Sequence, residues 1–92
     1  MSAKFEKLKL CVLYVEDEDV VRNTIYEMLR RRITDVYVAS DGREGLAVFQ
    51  EHKPDLVISD IRMPHMDGLE MISNIKRLNS DVQIIITSAH SE

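Results

Sequence analysis

The sequence has few of the residues that stabilise secreted domains or bind nucleic acid. It contains one cysteine, Cys11, no tryptophan, and only 5% aromatic residues among 92. A single cysteine cannot form an intramolecular disulfide, which favours a reducing cytoplasm as the location. Acidic residues outnumber lysine and arginine by 16 to 12, so direct binding to a nucleic-acid backbone is not expected.

Long apolar segments are also absent. The main apolar run, residues 10–15, is too short to span a bilayer. The lysine-containing leader before it is not followed by the apolar stretch and cleavage site of a secretory signal. With only three glycines and two prolines the chain shows no flexible linker. We therefore expect one small cytoplasmic domain with no membrane partner.

Short apolar runs alternate with amphipathic segments along the chain. Strands are predicted at residues 10–15, 36–39, 56–59 and 82–87. Helices are predicted at 19–32, with Asp19 as N-cap, from about 42 to 52, and from 68 to about 78. This alternation is typical of an α/β fold with a doubly wound parallel sheet and helices on both faces. The inward residues of the first helix are predicted to be Val21, Ile25, Met28 and Leu29, and those of the last to be Leu69, Met71, Ile72, Ile75 and Leu78.

Acidic residues follow the first and third predicted strands. Glu16 and Asp17 end the first strand, and Asp60 ends the third. If these strands are neighbours, the three carboxylates meet at the carboxyl edge of the sheet, where ligands bind in such folds. Carboxylate oxygens suit Mg²⁺, and a carboxylate can also attack a phosphoryl group. The pattern indicates a magnesium-dependent phosphoryl-transfer site with Asp60 as the nucleophile.

Three separated segments resemble response-regulator receiver domains of two-component signalling. They are DIRMPHMDG at 60–68, VEDE at 15–18 and ITSAH at 86–90. Three motifs in the right order are much more specific than one. The resemblance implies a flavodoxin-like fold with strand order 2-1-3-4-5.

The resemblance also implies roles for individual residues. Asp60 would accept a phosphoryl group from a phosphohistidine on a sensor histidine kinase or phosphotransfer protein. Asp17 would bind Mg²⁺ directly, and Glu16 directly or through water. The backbone carbonyl of Arg62 would supply a further metal ligand.

A hydroxyl group after the fourth strand would report phosphorylation. Ser88 matches the family pattern better, with Thr87 as the alternative. Phosphorylation would draw this hydroxyl inward and shift a two-state equilibrium that a partner or an output domain beyond residue 92 reads. The domain would then be no enzyme beyond catalysing its own phosphorylation and dephosphorylation.

The chain ends before several elements of the family. A further helix, a fifth strand with a phosphate-binding lysine and a last helix are missing after Glu92. Lys53 cannot replace that lysine, because it precedes the third strand and lies at the opposite end of the sheet. We therefore expect residues 1–92 to be one incomplete receiver domain with strand order 2-1-3-4. If the protein ends at Glu92, its exposed fourth strand, with Ile84 to Ile86, is expected to pair with another chain in a dimer or aggregate.

Two other functions remain open. A haloacid-dehalogenase-like phosphatase would also use Asp60 as a nucleophile, but it would need an acid where Arg62 stands. A receiver-like interaction module that is never phosphorylated is the second alternative, because the lysine is missing.

Overall fold

A computed structural model describes residues 6–61 and 67–87 of the chain. Strands and helices alternate along it. The strands are β1 (Leu8–Val15), β2 (Ile33–Ala39), β3 (Leu56–Ser59) and β4 (Gln83–Ile86), and the helices are α1 (Asp19–Leu29), α2 (Gly42–His52) and α3 (Gly68–Leu78). The predicted order of elements is confirmed, and individual boundaries differ from the prediction by up to three residues.

The four strands form one parallel sheet in the order β2-β1-β3-β4. This order confirms the predicted flavodoxin-like, doubly wound arrangement. The chain builds the sheet outward from β1 to β2 and then crosses to β3 on the other side. The order therefore reverses between β1 and β3, and a ligand crevice is expected where the carboxyl ends of these two strands diverge.

The main core lies between the sheet and the helices α2 and α3. Side chains from alternate positions of β1 and β3 pack there against side chains from both helices. The buried cluster consists of Leu13, Val15, Ala39, Phe49, Val57, Met71, Ile75 and Val82. Because β1 and β3 alternate their side chains between the two faces, the remaining residues of these strands face α1.

Several residues that were predicted to point inward are exposed. No residue of α1 is buried in the described part of the chain, and Val21 and Met28 are exposed. For Val21 and Met28 the prediction was wrong, whereas Ile25 and Leu29 are half-buried. Within the described residues α1 packs mainly against β1 and β2, whereas α2 and α3 also pack against each other. Leu69 and Leu78, in the first and last turns of α3, are likewise exposed.

The helix starts differ in how they are capped. Asp41 and Asp67 accept hydrogen bonds from the backbone N–H three residues later, at 2.8 Å, and so cap α2 and α3. The prediction that Asp19 caps α1 was wrong. Glu18 occupies the N-cap position without a side-chain cap. Asp19 is the first helical residue, where its negative charge interacts favourably with the helix dipole.

None of the helices within residues 6–61 and 67–87 has the length and apolar character needed to cross a membrane.

Candidate functional site

The register of the sheet brings polar residues to one edge. Val15 lies opposite both Ala39 and Ser59, and Ser59 lies opposite Ile86. The residues that follow these aligned positions therefore leave the sheet side by side. They are Glu16, Ser40, Asp60 and Thr87. Residues from four distant parts of the sequence thus meet at the carboxyl edge.

A cavity of about 400 Å³ opens at this edge on the α1 side of the sheet. Its polar lining includes Glu16, Asp60 and Thr87, which belong to the predicted site. Its apolar lining comes from the sheet and α1, through Tyr14, Val21, Ile25 and Ile58. Asp17 adjoins Glu16 at the exposed end of the same segment.

Glu16 is the most buried of the acidic residues, with 9% of its surface exposed. Burial raises the pKa of its carboxyl group, and the nearby carboxyl groups of Asp17 and Asp60 raise this pKa further. The backbone N–H of Glu18, 3.2 Å from Glu16 Oε2, acts in the opposite direction. The site therefore concentrates negative charge in a poorly solvated place, where a cation would relieve the repulsion.

Oxygen donors of this kind fit Mg²⁺. In the described ranges no group of three or more His, Cys, Asp or Glu side chains is arranged to hold a metal ion. Mg²⁺ is usually held by only one or two carboxylates, with waters completing the octahedron. Glu16, Asp17 and Asp60 are the residues that would hold it, because the carboxyl groups of Asp17 and Asp60 lie near enough to Glu16 to raise its pKa.

Asp60 sits on a tightly packed turn. The hydroxyl of Ser59, which is fully buried, donates a hydrogen bond of 2.7 Å to the backbone carbonyl of Asp60. The backbone N–H of Gly68 donates to the carbonyl of Ile61 at 2.7 Å and so joins the start of α3 to the end of β3. A Cβ atom at Gly68 would lie 2.4 Å from the Asp60 carbonyl oxygen. Only glycine fits at this close approach.

The remaining predicted site residues have different positions. Thr87 lines the cavity, and its backbone N–H donates to the carbonyl of Ser59 at 2.9 Å. Ser88 and Arg62 lie outside the described residues, so their predicted roles stay predictions. Lys53 ends α2 in a left-handed conformation, at the opposite end of the sheet from Asp60, as predicted.

Tyr14 is a contributor that the sequence pattern gave no reason to select. It is 4% exposed and lies on β1, where an apolar strand residue was expected. Its hydroxyl is close enough to the Glu16 carboxylate for the charge of Glu16 to raise its pKa. Burial, the largest cause, and the negative charges of Glu16 and Asp60 together raise the pKa of Tyr14 to about 12, although Arg22 acts in the opposite direction.

This raised pKa predicts a loss of stability at alkaline pH. The folded state holds the Tyr14 proton more tightly than the unfolded state, whose pKa is near 10. The stability linked to this proton is therefore complete below about pH 10 and falls away towards about pH 12. In metal-free buffer we expect a loss on the order of 1 kcal/mol by pH 11, measured as the free energy of unfolding in urea.

The Tyr14→Phe variant should lack this component of the alkaline loss. Tyr26→Phe, on α1, is the matched control and should keep the wild-type pH dependence. An unchanged alkaline slope in Tyr14→Phe would contradict the prediction.

Comparisons with known proteins give a consistent result. The family model described as the response regulator receiver domain matches residues 12–92. An uncharacterized response regulatory protein of Staphylococcus epidermidis is 37% identical over 84 residues, which are 88% of this chain and 33% of that protein. The chain thus spans about a third of the length of the curated relatives it matches.

Solved structures share the fold. The N-terminal domain of an uncharacterized protein from Wolinella succinogenes has a TM-score of 0.85 and 40% identity, over 90% of this chain and 67% of that one. A CheX–CheY–BeF3–Mg²⁺ complex from Borrelia burgdorferi matches with a TM-score of 0.81 and 28% identity, over 90% of this chain and 64% of that one.

Proposed function

Because the chain belongs to the response regulator receiver domain family, we propose that it accepts a phosphoryl group on Asp60 and switches conformation in response. The observation that supports this most is the shared cavity of Glu16, Asp60 and Thr87 at the point where the strand order reverses. Three distant parts of the sequence thus supply, at the carboxyl edge of the sheet, the acid pair Glu16 and Asp17, the nucleophile Asp60 and the hydroxyl of Thr87.

The chemistry requires little covalent help from the protein. A carboxylate oxygen of Asp60 attacks the phosphorus of a phosphohistidine in line, the new O–P bond forms, and the N–P bond to the histidine breaks. The imidazole leaves with the electron pair of the N–P bond. The hydroxyl of Ser88, or of Thr87 as the alternative, donates a hydrogen bond to a phosphoryl oxygen.

We also propose that Glu16, Asp17, Asp60 and the backbone carbonyl of Arg62 hold Mg²⁺. When bound, Mg²⁺ neutralises the charge on the phosphoryl oxygens. The raised pKa of Glu16, caused by burial and by two neighbouring carboxyl groups, supports a cation at this position. The related complex that contains BeF3 and Mg²⁺ supports the same proposal.

The wider setting follows from the same proposal. The phosphoryl donor would be a sensor histidine kinase or a phosphotransfer protein in the cytoplasm. An output domain beyond residue 92 would read the change, in keeping with relatives about three times as long. The domain would act on no separate substrate and would catalyse only the phosphorylation and dephosphorylation of its own Asp60.

The proposed function is tested by incubating the chain with acetyl phosphate, with Mg²⁺ and then with EDTA, and measuring intact mass. We expect the mass of one phosphoryl group to be added only with Mg²⁺. If no phosphoryl group is added under either condition, and none is added to a version extended beyond residue 92, the result would instead favour the passive interaction module. Continuous release of phosphate from small phosphate esters would favour the phosphatase.

The β4 edge supports a proposal about assembly. In the described part of the chain β4 pairs only with β3, and Ile85 and Ile86 are 49% and 47% exposed. An apolar edge strand with unpaired backbone groups is a template for another strand. For the 92-residue chain we therefore expect a dimer through β4 in light scattering.

A lysine at this edge should prevent the pairing. Ile86→Lys is expected to give a monomer, because its charge cannot be buried in a paired edge. Leu78→Lys, which changes an equally exposed leucine on α3, should leave the dimer intact. A wild-type chain that is monomeric at all concentrations would contradict this proposal.

A further inference from the structure

We propose that Arg22 is a positioning residue for the Mg²⁺ site and acts by fixing the peptide between Glu16 and Asp17. Arg22 is not among the residues of the first helix that were predicted to point inward. In the structure only 15% of its side chain is exposed, although arginine is rarely so covered without specific partners. This inference rests on the proposed function, because it concerns how the acidic residues of that site are held.

Two hydrogen bonds fix the guanidinium group. Arg22 Nη1 donates to the backbone carbonyl oxygen of Glu16 at 2.8 Å, and Nη2 donates to Asp19 Oδ1 at 2.5 Å. Asp19 is 78% exposed, so this ion pair by itself gives little reason for the burial of Arg22. The bond to the Glu16 carbonyl is the contact that reaches the candidate site.

That carbonyl belongs to the peptide that joins the two proposed metal ligands. The N–H of Glu16 donates to the carbonyl of Ala39 at 3.0 Å, which extends the β1–β2 ladder by one bond. The next peptide plane lies beyond the strand, and Arg22 holds its oxygen from the second turn of α1. The N–H of Glu18 is in turn held by the Glu16 carboxylate. A rigid helix thereby sets the direction in which Glu16 and Asp17 leave the sheet.

Charge and positioning predict opposite effects of removing Arg22. A positive charge beside a cation site repels the cation, so its removal should strengthen Mg²⁺ binding if charge alone matters. If Arg22 instead positions the ligands, its removal should weaken Mg²⁺ binding, as is usual when residues that orient metal ligands are lost. The sign of the change therefore separates the two roles.

The test is a calorimetric titration of the metal-free chain with MgCl₂. For Arg22→Met, which keeps an apolar stem but no donors, we expect Mg²⁺ to bind about 10-fold more weakly. Arg22→Lys should also weaken binding, because an ammonium cannot reproduce the planar fork of donors. Melting temperatures show whether each variant is folded. If Arg22→Met does not fold, Arg22→Lys alone tests the proposal.

Arg30→Met is the matched control. Arg30 lies directly after the same helix, and its Nε forms an ion pair with Glu27 Oε1 at 2.8 Å with the same sequence spacing, but its side chain is 50% exposed. It should bind Mg²⁺ like the wild type. Unchanged or tighter binding in folded Arg22 variants would overturn the positioning role while the proposed function stands. A wild-type chain that does not bind Mg²⁺ would overturn both.

Discussion

Replacing Asp60 by asparagine is expected to abolish the uptake of a phosphoryl group from acetyl phosphate in the presence of Mg²⁺. The amide has almost the same size as the carboxylate but is not a nucleophile at neutral pH, so no aspartyl phosphate can form. The loss should be complete, as measured by intact mass, rather than a slower rate. The fold should be retained, because the change also removes one of the negative charges that repel Glu16.

Asp55→Asn is the matched control for this change. Asp55 lies at the other end of β3, where its Oδ2 accepts a hydrogen bond from the backbone N–H of Cys11 at 3.0 Å. An asparagine can still accept this bond through its amide oxygen. The control should therefore be phosphorylated like the wild type. Phosphorylation that persists in Asp60→Asn, or is lost equally in Asp55→Asn, would contradict the assignment of Asp60.

Replacing Gly68 by alanine is expected to destabilise the domain and slow phosphorylation together. The new Cβ atom would lie 2.4 Å from the Asp60 carbonyl oxygen and 2.7 Å from Ile61 Cα. Both are backbone atoms, so the junction of β3 and α3 must move. Such overpacking costs roughly 1–3 kcal/mol of unfolding free energy, which urea denaturation measures. Because Asp60 is displaced directly, the rate of phosphoryl uptake should fall as well.

Gly45→Ala separates this local effect from a general effect of adding a methyl group. A Cβ atom at Gly45 would meet Met71 Sδ at 2.7 Å and Val15 Cγ2 at 3.1 Å; both are side-chain atoms, and the methionine can move. Alanine is also favoured over glycine in a helix by about 1 kcal/mol. We expect little net change in stability and a wild-type phosphorylation rate. A larger loss in Gly45→Ala than in Gly68→Ala would contradict the argument.

Much of the fold was predictable because local patterns and tertiary packing agree. The strands β1 and β3 are mostly apolar and are followed directly by acids, so their positions and the edge that carries Glu16 and Asp60 follow from the pattern. Asp41 and Asp67 are followed by helix-starting residues, and both cap a helix. The family resemblance added the strand order, which the sheet confirms.

The exceptions lie where a residue's role depends on what packs against it. The apolar residues of α1 have helical spacing, yet Val21 and Met28 are exposed, because burial requires a neighbouring element. Arg22 has the spacing of a polar surface residue, yet it is covered and bonded to the Glu16 carbonyl. Periodicity describes which residues share a face and gives no information about what covers that face.

The sequence by itself determined the alternation of strands and helices, the acids at the strand ends and the candidate nucleophile Asp60, because these depend on residue type and local spacing. Only the tertiary structure decided that the charge of Glu16 acts on the Tyr14 hydroxyl, that Arg22 bonds to the Glu16 carbonyl, and that a Cβ atom at position 68 would collide with the Asp60 carbonyl. The physical reason is that these contacts depend on how the chain turns at the end of each strand and how the following helix packs on the sheet, which residue type and local spacing do not specify.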